Sequence, residues 1–223
     1  MMRYGFMRYL DLIITCISDD EEARHLYHLF EFDLTPEENT IITYDEEAYL
    51  EHQHYKKKKK LYEERLKKMP PDMLDFEKRH QERLKIAMRK PATMKIDDYL
   101  EKFKEIRYNY DFGDDWHFVI KLEQIVDDYY FGYPTLLDGA EMAPPEDVGG
   151  IPGYYEFLEA YLDPKHPEYK EMKTWAESIR FREYGPDWIN QMLKGLSYKK
   201  TEYNNGVRHQ IQLVRRKVSD CKG

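Results

Sequence analysis

The stretch YNYDFGDDWHFVIKLEQI, residues 108–125, decides how this chain folds. From Ile106 the even positions carry Ile106, Tyr108, Tyr110 and Phe112, then Trp116, Phe118, Ile120 and Leu122. Strand side chains alternate between faces, so each run presents one apolar face. The intervening Gly113-Asp114-Asp115 predicts a hairpin with Phe112 opposite Trp116, Tyr110 opposite Phe118, Tyr108 opposite Ile120 and Ile106 opposite Leu122. An odd loop keeps both apolar faces on one side of the sheet. Three-residue loops favour Gly at their last position, where Asp115 stands here. Asp-Phe-Gly also marks a metal-gripping loop in protein kinases. That chemistry needs a glycine-rich phosphate loop, a strand lysine and a catalytic-loop Asp upstream, and none of them is present. The motif is read as a turn, with Trp116, Trp175 and Trp188 in the core.

Upstream, Phe6, Tyr9, Leu10, Ile13, Ile14 and Ile17 recur at helical spacing. Leu26, His28, Phe30 and Phe32 share one strand face, and NTIIT after the TPEE turn reads as its partner strand. Residues 44–90 change character. YKKKKKLYEERLKKM is charged, Pro70-Pro71 breaks the chain, and Met73, Phe76, His80, Leu84 and Ala87 make a helical stripe. The reading is a basic two-helix insert, partly docked by that stripe.

Residues 126–153 hold too much Gly and Pro for regular structure and too many apolar residues for a linker, which predicts an ordered loop packed on the sheet. Helical stripes follow, at Tyr154, Phe157, Leu158, Tyr161 and Leu162, then at Tyr169, Met172, Trp175, Ala176 and Ile179. A short helix begins after Gly185-Pro186. Asn205-Gly206 is a strong hairpin turn, with Val207, His209, Ile211 and Leu213 alternating beyond it. The expected fold is α+β: an antiparallel sheet with helices packed on one face, plus a basic helical-hairpin insertion at about 44–92. The expected division is a domain at 1–193 and a basic C-terminal hairpin or tail at 194–223.

Cys16 and Cys221 lie near opposite ends of the chain, so no disulfide framework is read and a reducing cytoplasm is expected. The apolar run LIITCI falls far short of the ~20 residues of a membrane span. Acidic SDDEE follows it where a signal peptide would have small cleavage-site residues, so neither a membrane association nor a targeting segment is expected. The formal charge of -8 is unevenly spread. Residues 1–49 carry -9, 50–95 carry +8, 96–193 carry -13 and 194–223 carry +6. An acidic body thus bears two basic segments, which suit nucleic acid or a protein partner.

Two loops concentrate carboxylates: Asp111, Asp114 and Asp115 at the hairpin, and Asp138, Glu141, Glu146 and Asp147 in the proline-rich loop. Asp114, Asp115, Glu146 and Asp147 are candidate ligands for Mg²⁺ or Mn²⁺, the hard cations of phosphodiester chemistry. The competing reading gives them turn and backbone roles. His25 and His28 fall on opposite strand faces, and His52 and His54 on different sides of a helix, so neither pair chelates. No catalytic triad, phosphate loop or dinucleotide fingerprint occurs, and no catalytic residue or cofactor is expected. The candidate binding residues are Lys56, Lys57, Lys58, Lys59 and Lys60 in the insert, with Arg215, Arg216 and Lys217 in the tail.

YDFGDDW, LDGAEMAPPEDVGGIPGYYEFLEAYLDPKHPEYKEM and the helix after them resemble the plasmid pRiA4b ORF-3-like family, also known as passenger proteins of insertion elements. The likeness covers residues ~96–193, and FMRYLDLIITCISDDEEARHLYHLFEF is similar to the family's earlier helix-then-strand segment. It implies an α+β domain of bacteria and archaea, often near mobile DNA, with no settled activity. Members usually begin with a strand pair that has no counterpart here. Either the C-terminal hairpin, residues 199–218, fills that place, or the true start lies upstream. Many relatives carry Cys where this chain has Val148, so a cysteine–metal role is not expected.

Two functions follow as expectations. The first is a non-enzymatic nucleic-acid- or protein-binding module. The alternative is a metal-dependent enzyme acting on nucleic acid through the loops near Asp114 and Glu146. An assembly role, in which the acidic face pairs with a basic partner, is a third.

Overall fold

The computed structural model describes residues 29–91, 96–126, 135–195 and 208–215. Strand β1 (Phe30–Asp33) is followed by the single helical turn α1 (Thr35–Glu38) and by β2 (Thr40–Thr43). Asn39 closes that turn in the left-handed conformation, at φ 49°. Helices α2 (Glu46–Lys67) and α3 (Pro71–Lys85) lead to the short strand β3 (Ala87–Arg89), and α4 (Ile96–Phe103) precedes β4 (Glu105–Tyr110) and β5 (Trp116–Val126). Then come α5 (Gly150–Leu162), α6 (Tyr169–Ser178), α7 (Pro186–Gly195) and β6 (Arg208–Arg215). The sheet order is β3-β2-β1-β4-β5-β6, antiparallel throughout except between β2 and β3. The helix expected at Phe6–Ile17, and the first half of the C-terminal hairpin with Asn205-Gly206, lie outside the described residues.

The hairpin exists, and its register differs from expectation by two residues. Tyr110 pairs with Trp116, Tyr108 with Phe118 and Ile106 with Ile120. The cause lies at Asp111, which turns left-handed at φ 52°. Its Oδ1 accepts the N–H groups of Gly113 (3.0 Å) and Asp114 (3.3 Å). The loop therefore begins at Asp111 and holds five residues, which leaves Phe112 38% exposed. A slip of two preserves which face is apolar. Ile106, Tyr108, Tyr110, Trp116, Phe118 and Ile120 are all buried, in one cluster with Phe30 and Phe32 of β1 and with Tyr154, Phe157 and Tyr161 of α5. Of the other two tryptophans expected in the core, Trp175 and Trp188 are half-buried.

Parallel neighbours need a crossover connection, and the basic segment supplies it: α2 and α3 carry the chain from β2 to β3. The expected docking stripe holds at Leu84 and is corrected at Met73 and Phe76. Met73 and Phe76 are 54% and 66% exposed, whereas Glu77, Gln81 and Leu84 are buried. α3 faces α2 with polar groups: Gln81 Nε2 donates to the Tyr62 carbonyl (3.0 Å) and to Glu77 (3.1 Å), and Arg65 approaches Glu77 at 3.8 Å. Tyr62 packs edge-on to Tyr55. Its phenol pKa is raised, by burial first and then by the Glu51 and Glu77 carboxylates.

Buried His52 pins this crossover to the sheet, with Nδ1 2.9 Å from the Leu84 carbonyl and Nε2 accepting the Met88 N–H at 3.5 Å. On the sheet face opposite Phe30 and Phe32, Arg83 donates to Glu31 at 2.8 Å. The Glu31 side chain is only 7% exposed. Replacing Arg83 with Met leaves that charge with the Asn109 amide but no cation, although Arg83 itself is 44% exposed and water screens part of the loss. The expected cost is about 1–2 kcal/mol in urea unfolding, with partial recovery in the Glu31→Gln/Arg83→Met double variant.

Candidate functional site

Topology brings the two acidic loops together. Gly150, at the start of α5, sits so close to the hairpin tip that a Cβ there would lie 2.6 Å from the Asp114 carbonyl oxygen. Tyr110 Oη donates to Glu146 at 3.2 Å. Their carboxylates then serve the chain itself. Asp111 closes the turn, Asp115 bonds His117 Nε2 at 3.0 Å, and Asp138 accepts the Gly139 N–H. Oδ2 of Asp114 is buried and accepts no hydrogen bond among the described residues. Asp147 turns left-handed, at φ 55°, and lines a groove between α5 and α6. Among the described residues, no group of three or more His, Cys, Asp or Glu side chains is arranged to hold a metal ion.

The lysine run has a different character. Lys56 to Lys60 are all exposed, and no ion pair links any of them to a carboxylate among the described residues. Lys58 departs from helical geometry (φ -126°, ψ 31°), so the run sits on a kink within α2. The kink divides the run, and because helical neighbours on either side diverge by about 100°, roughly three of the lysines face any one surface. Arg215 ends β6 at the outer edge of the sheet, while Arg216 and Lys217 lie outside the described residues.

One arrangement escaped the sequence reading. On the sheet face away from the core, His117 Nδ1 lies 2.7 Å from Asn109 Oδ1, and Asn109 Nδ2 donates to Glu31 at 3.0 Å. With Asp115 at one end and Arg83 at the other, a polar ladder crosses three strands. His117 and Asn109 are direct cross-strand partners, as are Asn109 and Glu31. The expected register would have set Asn109 opposite Val119, which hid the pairing. A five-residue loop opened by an Asx turn at Asp111 was the signal available in the sequence.

These features define an α+β sheet protein with a basic helical crossover on one side and an acidic, aromatic-lined groove on the other. The chain belongs to the plasmid pRiA4b ORF-3-like family, whose match spans residues 13–192. A relative in Sinorhizobium fredii (strain NBRC 101917 / NGR234), the uncharacterized protein y4hQ, is 44% identical over 75 residues. That match spans 34% of this chain and 39% of the relative. A crystal structure of a protein of unknown function, MM3350 from Methanosarcina mazei Go1, matches 81% of each chain at 25% identity, with a TM-score of 0.46. Among the described residues, no helix is long and apolar enough to cross a membrane.

Proposed function

We propose that this protein is a non-enzymatic binding module that meets nucleic acid through its lysine-rich crossover. The observation behind this reading is the exposed, kinked run Lys56–Lys60, with no carboxylate pairing it among the described residues. Bare ammonium groups at that density suit a phosphate backbone, where binding displaces condensed counterions. The segment 50–95 carries +8 on a chain whose total is -8, so the attraction is local to this element. Arg215 adds a basic residue at the end of β6, on the sheet edge, and Arg216 and Lys217 follow it in sequence. A metal-dependent reaction at Asp114 and Glu146 has less support, because Glu146 already accepts the Tyr110 hydroxyl.

The test is anisotropy with a labelled DNA duplex. About three phosphate contacts give a log–log salt slope near -3, so affinity falls about 40-fold between 50 and 200 mM salt. Replacing Lys56–Lys60 with Gln should remove that slope. Binding that ignores salt, or that survives the replacement unchanged, would overturn the reading.

A further inference from the structure

We propose that the groove between α5 and α6 seats Lys or Arg side chains from a basic segment of a partner protein. It is a cleft of about 340 Å³ with an apolar floor of Phe157, Met172 and Trp175. Trp175 stands edge-on to buried Phe157, with ring centroids 5.4 Å apart. The rim is acidic from three sides: Asp147 on the proline-rich loop, Glu156 on α5, and Glu168 and Glu171 at the start of α6. All four carboxylates are exposed, and no Lys or Arg pairs with them among the described residues. Of the two lysines on α6, Lys170 is exposed and Lys173 lies over the Tyr161 ring at 3.4 Å.

Each feature narrows the occupant. The rim repels phosphates and carboxylates, which removes nucleotides and acidic metabolites. The volume sits at the low end for a ligand pocket and is too small for a dinucleotide. An ion would need converging oxygens, and no such set of three exists among the described residues. An aromatic floor under carboxylates suits a long alkyl stem ending in a cation, whose methylenes pack on Trp175 while its head meets the rim. A single cation would use one or two carboxylates. Four, spread over the loop and both helices, suit several positive charges along one extended segment. Gly153 holds the groove's shape, because a Cβ there would meet the Val148 carbonyl oxygen at 1.9 Å.

This site is separate from the lysine crossover, so the two readings fail independently. The test uses the full chain and a fluorescein-labelled oligopeptide of alternating Arg and Gly, followed by anisotropy. Glu168→Gln/Glu171→Gln should weaken binding at least about tenfold, while Glu63→Gln/Glu64→Gln, on exposed positions of α2, should bind as the parent does. Trp175→Leu should also weaken it, and if that variant fails to fold the glutamate pair still decides. The Lys56–Lys60 replacement should leave peptide binding intact. Equal losses in the two glutamate pairs, or no loss at Glu168 and Glu171, would overturn the proposal. So would a salt-sensitive dimer of the protein alone, abolished by the Lys56–Lys60 replacement and indifferent to the peptide, since a second copy would then be the occupant.

Discussion

Trp116→Ala should lose about 3–5 kcal/mol of stability, read as a lower urea midpoint at unchanged slope. The side chain is 2% exposed and opens β5 directly opposite Tyr110. It also meets Tyr154 of α5 edge-on, with centroids 6.4 Å apart, so one indole ties the hairpin to the helix layer. Removing it leaves a void among rigid rings that have few rotamers with which to refill it. Phe112→Ala is the matching control. At 38% exposure it belongs to the loop, and its loss should stay below about 1 kcal/mol. Comparable losses at the two positions would mean that the expected register, with Phe112 and Trp116 both inside, was right after all.

Gly153→Ala should be comparably severe, against what helix propensity alone predicts. Inside an ordinary exposed helix this change stabilises by roughly 1 kcal/mol. Here the added methyl would lie 1.9 Å from the Val148 carbonyl oxygen and 2.9 Å from its carbon, both backbone atoms with little freedom to move. Either α5 shifts or the loop through Val148 detaches, and both disturb the Tyr110–Glu146 contact. The expected cost is about 3 kcal/mol or more in thermal melts. Faster exchange of the backbone amide at position 153, which in the parent bonds the Gly149 carbonyl at 3.3 Å, should accompany it. A melt equal to or above the parent's would mean that this close approach carries no weight in the fold.

Patterns of period two and period 3.6 carried most of the architecture. The alternation from Ile106 to Ile120 named the buried face correctly, because face assignment survives a slip of two. Register did not survive, because it depends on Asp111 taking a left-handed turn, a local hydrogen-bond choice that hydrophobicity does not encode. Asp115, the awkward loop position, does adopt the left-handed conformation, at φ 55°. The same limit explains α3. Met73 and Phe76 fit an apolar stripe, yet the packed side is Glu77 and Gln81, whose burial is made tolerable by partners on α2 that lie distant in sequence. The lysine run was legible as charge and as surface. The acidic groove was not, because its rim gathers Asp147, Glu156, Glu168 and Glu171 from segments whose proximity only the tertiary fold creates.

The outermost strand has a consequence for how this molecule is made. β5 pairs along most of its eleven residues with β6, which is translated only after α5, α6 and α7. While the ribosome adds the residues between Val126 and Arg208, one flank of β5 is without the neighbour it finally takes, and its free amides invite strangers. Polysomes bearing this nascent chain should therefore recruit holdase chaperones until β6 is free to pair, and slowing translation between Val126 and Arg208 should lower the soluble yield.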